Sequence, residues 1–487
     1  MVIGCAMFIS PLWGKLIVEP RSNHPVRLSI GALIVIGISF WHGGAILQNT
    51  TIRGTFNRAR PGARPTPFTV RSNLVEQHPA KNFTVRAVHC DYRSSDEKVY
   101  QALKRATAPL ERTWEKLNKA RQIAIKFNQD WLRDRVVMHH GHRQQLVSDP
   151  VARATLRLLR ERTHAELIAV DIGTEGIYHQ ITDGSSASLR PVFGEYNMPY
   201  IEGDKAATVW ASVPGGGQMF THYPIPQPAL KADAFVSVQK LKNHQFMGVT
   251  LCLKNLFALA ALQPGGRPRI YYHHLVRMPY MLADLGRIFD PALNIIDGLV
   301  TQAGMEWGNG EHPRICNTLI AGDQVVATDA CGTYLMGHDP QADWLTPPFH
   351  RDRNALRIAA EGGFGTVNLN QIDFRSELPV PVGEFFVKPS DSREMVVNWR
   401  RTTAEQALFY RDHMVEFVRQ YAGNYILIQM GKVRWAGSEW NMSESRRTLS
   451  GLHPEQGMWI KYVDEEEQEG EHFEVYEKTL QQVKEII

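Results

Sequence analysis

The sequence predicts an α/β protein: largely parallel or mixed sheets with flanking helices, plus a small C-terminal α+β module and an N-terminal transmembrane helix. Three observations carry that expectation. Between residues 83 and 390, short β-branched runs alternate with helix-period segments, the pattern of a sheet covered by helices. From about Thr402 the pattern resets into one amphipathic helix and a strand pair about Gly431. Near the start, Leu28–Leu47 runs twenty residues without a formal charge, and twenty helical residues span roughly 30 Å, the thickness of a bilayer's hydrocarbon core.

Residues 1–48 read as a membrane anchor or signal segment. Lys15, Arg21 and Arg27 form a basic flank before the apolar run, and Gly43-Gly44-Ala45 offers small residues for cleavage. Arg53, Arg58, Arg60 and Arg64 follow closely and leave the orientation open. The competing assignment is a buried core helix. The expected arrangement is a membrane engaged through residues 28–47, with the body outside the cytoplasm. Residues 49–82, rich in Arg, Pro, Thr and Asn, read as an extended linker.

The body, 83–390, opens with the strand FTVRAVHC (83–90), a helix from Asp96 to about Ala120, and the strand RQIAIKFN (121–128). Asp149-Pro150 starts a helix, because proline is tolerated in a first turn. AELIAVDIG follows as a buried strand, and Gly215-Gly216-Gly217 marks a hairpin turn. AFVSVQKL, a helical Val249–Leu262, a helix around Met278–Arg287, the strands LNIIDGLV and ICNTLIAGD, and a helix from Gln324 to Met336 complete the alternation. The module 391–487 carries a helix capped by Thr402 or Thr403 and stopped by Gly423, then the strands NYILIQM and KVRWAG. Its acidic run DEEEQEGE reads as a solvated face. A chain ending near Val387 is therefore expected to keep a cooperative unfolding transition.

Composition narrows the chemistry. With 43% hydrophobic residues, 21% charged and a net charge of +4, the chain is neither disordered nor polytopic, and its charge does not call for nucleic acid. Cys5, Cys90, Cys252, Cys316 and Cys331 form no CxxC pair, so no iron–sulfur cluster is expected. A Cys316–Cys331 disulfide competes with free buried thiols, the preferred reading. GxSxG, HExxH and GxxxxGK(S/T) are absent.

The chemistry-bearing residues concentrate between 236 and 339. A buried-looking strand delivers Lys240, Lys242 and His244 in alternation, which places them on one face. Thr250, Lys254 and Asn255 follow at the start of a helix. Lysines, a hydroxyl and helix N-terminal amides together suit a carboxylate or phosphate; the competing reading has the lysines reaching from element ends into water. Asp297 and Asp323 end strands, the address where ligands gather in open α/β sheets, and Asp323 reads equally as a helix cap. Glu306, Asn309 and His312 lie in a Gly-rich loop able to close over such a crevice. Lys126 and Asn128 end another strand. His139, His140 and His142 read as a solvated loop in preference to a metal cluster, and His273-His274 is placed to reach the crevice.

IKFN at 125–128, SDP at 148–150, VSVQKLKNHQFMGVTLCLKNLFAL at 236–259, IIDGLV at 295–300, GMEWGNGEHPR at 304–314 and LIAGDQVVATDACGTYLMGHDP at 319–340 occur in that order. Over roughly 85–375 they resemble the family named domain of unknown function 362, whose pattern runs IKPN, TDP, PKLKTH, GVT, KN, DG, GNGP and AGTDPVAVDA. The chain departs from it at IKFN, which lacks the proline, and at QKLKNH, GNGEHPR and GDQVVATDA. Some members carry an appended four-cysteine iron–sulfur module, for which this chain has no counterpart. FVRQYAGNYILIQMGKVRWAG (417–437) resembles, more weakly, the small domain of unknown function 5678.

Two functions are compatible with these residues. In the first, an enzyme acts on an anionic small molecule. Lys126, Asn128, Lys240, Thr250, Lys254, Asn255, Asn309 and Asp323 bind it; His244, Asp297 and Lys242 form the catalytic set. His244 and Asp297 are then a proton-transfer pair or ligands of a divalent metal. In the second, the body is a non-catalytic binding or assembly subunit of a membrane-associated complex, its C-terminal module meeting a protein partner.

Overall fold

The computed structural model describes residues 83–173, 187–260, 266–306, 310–438 and 443–486. The anchor expected at Leu28–Leu47 and the linker 49–82 lie outside the described residues. Among the described residues, no helix is long and apolar enough to cross a membrane.

The fold is mixed α/β. Among the described residues its main sheet has nine strands: β1 (Phe83–His89), β2 (Gln122–Phe127), β3 (Glu166–Asp171), β4 (Tyr200–Glu202), β5 (Ala234–His244), β6 (Gly248–Thr250), β7 (Leu293–Gln302), β8 (Pro313–Gly322) and β9 (Ile372–Ser376). Their order is β9-β1-β8-β7-β5-β2-β3-β4, with β6 folding back on β5. The strands β4, β3, β2, β5 and β7 run parallel to one another; β8 runs antiparallel to both β7 and β1.

The central strands read as near-continuous apolar runs because both faces are covered. On one face Val236, Val238 and Ile295 meet Val99, Leu103, Leu156 and Leu159 from the helices Asp96–Thr107 and Asp149–Arg162. On the other, Leu241 and Ile296 join the cluster holding Leu282, Leu285 and Val325 of Arg277–Phe289 and Val325–Leu335.

Several sequence expectations change in identifiable ways. The long helix expected from Asp96 to Ala120 is two, Asp96–Thr107 and Glu111–Asn118, split at Pro109, whose ring cannot continue a helix interior. The helix expected from Val249 begins instead as a strand: Gly248 at φ +75° turns the chain back, and Thr250 pairs with Lys242. Only Cys252–Asn255 and Leu256–Leu259 are helical there. Gly215, Gly216 and Gly217 all take positive φ, in the turn joining the antiparallel strands Thr208–Ser212 and His222–Pro226. Cys90, Cys252, Cys316 and Cys331 are free and buried, so Cys316 and Cys331 are not bridged.

In the C-terminal region the helix starts earlier than expected. It spans Arg393–Asp412, with the Ser392 hydroxyl accepting from the Met395 amide; Thr402 and Thr403 are buried within it and do not cap it. A three-stranded sheet follows, formed by β10 (Tyr425–Gln429), β11 (Lys432–Gly437) and β12 (Trp459–Tyr462), with β10 central. The acidic run is not a solvated face throughout. Glu469 and Glu471 are buried against basic residues of the body: Arg267 Nε lies 3.2 Å from Glu469, and Arg277 Nη2 lies 2.8 Å from Glu471. Trp459, Tyr476 and Ile460 share one apolar cluster with Tyr271 and Leu282 of the body. That burial reverses the outcome expected for a chain ending near Val387.

Candidate functional site

The chain leaves β2 for β3 and β4 on one side, then returns to place β5 on the other side of β2. The β2/β5 boundary is therefore where the strand order reverses, and crevices in open parallel sheets form at the carboxyl ends of such strands. Lys126 and Asn128 arrive there from β2. Lys240, Lys242 and His244 arrive along β5, all eleven of whose residues are buried.

The cations are matched to carboxylates in two tiers. Deeper in the sheet, Lys126 Nζ lies 3.0 Å from Asp171 at the end of β3, with side chains 2% and 1% exposed. Burial pushes the Asp171 carboxyl up to about 7 against the opposing pull of Lys126. Lys240 and Asp297, cross-strand neighbours on β5 and β7, pair at 2.7 Å with both side chains at 0% exposure. The same Asp297 oxygen accepts from the Ser148 amide at 2.8 Å and hydroxyl at 2.7 Å, and its other oxygen accepts from the Leu299 amide at 3.1 Å. Ser148 stands at the N-cap of Asp149–Arg162, so the SDP turn is fastened to the sheet through Asp297.

Past the end of β5, and slightly less buried, three basic side chains converge on Glu306, from the loop after β7. His244 Nε2 is 2.7 Å from Oε2, Lys254 Nζ is 3.9 Å from the same oxygen, and Lys242 Nζ is 3.5 Å from Oε1. Burial raises the Glu306 carboxyl, but Lys254, His244 and Lys242 together outweigh it and hold the group well below the usual carboxylate range. Lys242 also donates to the Gln145 carbonyl at 2.8 Å and to Asn128 Oδ1 at 3.2 Å. Burial lowers Lys254, and it lowers Lys242 to about 8, in both cases more than Glu306 raises them.

Polar groups around this tier are incompletely used. The buried Thr250 hydroxyl and Asn255 Oδ1 have no hydrogen-bond partner among the described residues. Asn255 Nδ2 donates to the carbonyls of Lys126 and Val238, clamping the short helix to the ends of β2 and β5. His273 approaches as expected, its ring 6.2 Å from that of His244, with Phe246 and Phe257 packed edge-on against it. His274 turns away and meets the Met458 carbonyl at 2.8 Å.

Other candidates fall elsewhere. His244 bonds Glu306, whereas Asp297 bonds Lys240 and Ser148, so the expected proton-transfer pair does not meet. Asp323 follows the antiparallel β8 and so sits at the opposite end of the strands, accepting from the Thr84 amide at 2.9 Å. The cap of Val325–Leu335 is Gln324, not Asp323. Asp329 receives the Cys252 and Leu253 amides at 2.9 and 2.7 Å. Asn309 lies outside the described residues. His139 and His142 face one another across a two-residue hairpin, and among the described residues no group of His, Cys, Asp or Glu has a metal-holding arrangement. Gln145, Ser148 and Asp171 were not singled out as site residues from the sequence. The SDP turn was the available signal for Ser148; Gln145 meets Lys242 through its backbone carbonyl, which no residue type announces.

The ordered motifs IKFN, SDP, QKLKNH, GVT and KN thus converge at one set of strand ends, and a family comparison covers the same stretch. Residues 123–334 match the Domain of unknown function (DUF362). The DUF362 region runs from β2 to the end of Val325–Leu335 and contains both ionic tiers; β1, β9 and the C-terminal sheet lie beyond it. The chain is also similar to a thylakoid-associated protein of Synechocystis sp., 27% identical over 157 residues, which is 31% of this chain. The similarity spans 45% of that relative's length, under half of it. No solved structure matches significantly.

Proposed function

We propose that the strand-end cluster of the DUF362 region binds a small anion, a carboxylate or phosphate, through Lys242, Lys254 and the His244 N–H, in the place that Glu306 fills. The convergence of three basic side chains on one internal carboxylate carries this reading. Two ammonium groups desolvated beside an apolar sheet need a compensating anion, and Asp297 and Asp171 are already committed to Lys240 and Lys126. The unpartnered Thr250 hydroxyl supports the same reading, as a further group for a ligand oxygen. The test is phosphate and acetate titration of wild type and Lys242→Met. A charged hydrogen bond is worth about 1.5–3 kcal/mol, so the variant is expected to bind roughly tenfold or more weakly. Its thermal stability without ligand should stay close to that of wild type, since a desolvated ammonium is removed while His244 and Lys254 remain on Glu306. Unchanged affinity in Lys242→Met would remove the proposal's main support.

A second reading concerns location. The relative's description as thylakoid-associated and the uncharged run Leu28–Leu47 favour membrane association of this chain, with the body as a tethered enzyme or binding subunit. Deleting residues 1–48 is expected to release a folded body into the soluble fraction. Full-length protein already soluble without proteolysis would contradict it.

A further inference from the structure

We propose that His244 serves this site as a permanently neutral hydrogen-bond donor, its Nε2–H directed at the anion, and not as a proton acceptor or a cation. The inference rests on the anion-site reading above and assigns the imidazole its role within it.

The argument is geometric. Beyond His244 the chain turns through Gln245, Phe246 and Met247 to Gly248, where the positive φ sends it back as β6. That turn aims two backbone amides at the imidazole: Phe246 N lies 3.0 Å and Met247 N 3.1 Å from Nδ1. A backbone N–H can only donate, so Nδ1 carries no proton and the ring proton sits on Nε2, facing Glu306. Forming the imidazolium would set an Nδ1–H against two N–H groups and forfeit both bonds.

The surrounding charges act in the same sense on balance. Glu306 favours the cation; burial, Lys254 from the short helix and Lys242 from β5 oppose it and hold His244 below its ordinary value. Across from it His273 is itself held well below the ordinary histidine range, by burial first and then by Lys254. A neutral imidazole polarises an oxygen without surrendering charge or taking up a proton. The positive charge for an anion then comes from Lys242 and Lys254.

This division of roles has a pH signature. Lys242 is protonated below about 8 and loses its attraction for an anion above it. Affinity for acetate, which is already fully ionised there, should therefore stay level through the histidine range, near about 6.5, and fall as pH rises through about 8. A cationic His244 would instead make affinity fall while pH rises through the histidine range.

The experiment uses full-length protein labelled with nitrogen-15 at histidine, with inorganic phosphate and acetate as probes. His244, assigned by comparison with His244→Gln, should show an unprotonated Nδ1 that does not titrate between about pH 5.5 and 8.5, spanning the ordinary histidine range. His244→Gln keeps a neutral N–H donor and should bind within about threefold of wild type, while His244→Ala loses about tenfold, the scale of one charge-assisted hydrogen bond. Tighter phosphate than acetate binding points to a phosphorylated ligand, and the reverse to an organic acid; either supports the anion-site reading on which the donor role rests. A titrating His244, or a glutamine variant as weak as alanine in folded protein, overturns this inference alone. No binding of either probe by wild type at any pH overturns the anion-site reading and the donor's role with it.

Discussion

A chain ending at Val387 is expected to show no cooperative unfolding transition. The residues it would lose, 388–487, neutralise charges that the body has buried. Arg277, at 0% exposure, would be left without Glu471, and Arg267 without Glu469. Asp352 would lose the buried Arg400 as well, keeping only the Val276 and Arg353 amides. Breaking one such buried pair costs about 3–5 kcal/mol, and a whole domain is stabilised by only about 5–15 kcal/mol. The apolar loss points the same way. Trp459, Tyr476 and Ile460 are fully buried in the body's cluster, and each large apolar side chain is worth about 1.5–3 kcal/mol. Circular dichroism and urea titration of the truncated chain are the check. A sharp transition with a slope in proportion to its length would mean the body closes its core unaided.

The second large effect is expected at Glu306. Replacing it with alanine removes the shared carboxylate of Lys242, His244 and Lys254, leaving two ammonium groups beside each other in a buried site. Ligand-free Glu306→Ala should lose about 3–5 kcal/mol, at the lower end because Glu306 is itself 11% exposed. Phosphate should then restore stability. A ligand that binds only the folded state at a hundred times its Kd returns about 2.7 kcal/mol. The variant's anion affinity should exceed that of wild type, since no internal carboxylate competes. Calorimetric melts with and without phosphate test both halves, and a variant as stable as wild type and indifferent to phosphate would contradict both.

The fold's alternation was legible because period and punctuation act locally. Asp149-Pro150 and the run AFVSVQKLKNH declare a helix start and a fully buried strand without help from distant residues. Where distant residues decide, the sequence was misleading. Thr402 and Thr403 look like caps, but the helix begins at Ser392 and they face inward, where the Thr402 hydroxyl accepts the Gly457 amide at 2.7 Å. DEEEQEGE looks solvated because nothing local reveals that Arg267 and Arg277 wait for two of its carboxylates.

The site divides along the same line. Alternation along β5 was enough to assign Lys240, Lys242 and His244 to one face. Which carboxylate each would meet depended on strand order and loop path. Asp297 is beside Lys240 because β7 pairs with β5 in that register. Asp323 is remote because β8 runs the other way, a direction that a strand's own residues do not encode.

The position of β1 sets a constraint of a different kind. The first strand of the body is held between β8 and β9, pairing Val85 with Gly322 on one side and with Phe374 on the other. Its partners are synthesised more than two hundred residues later, so during translation β1 leaves the ribosome with both hydrogen-bonding edges unmet. Sheets assembled from such distant segments close slowly, because the entropy of a long loop is lost before any pairing is gained. Until then an open strand edge is a template for another chain. Newly made protein should therefore aggregate most readily while β8 and β9 are still unmade, and a chaperone that shields FTVRAVH through that interval should raise the yield of folded molecules.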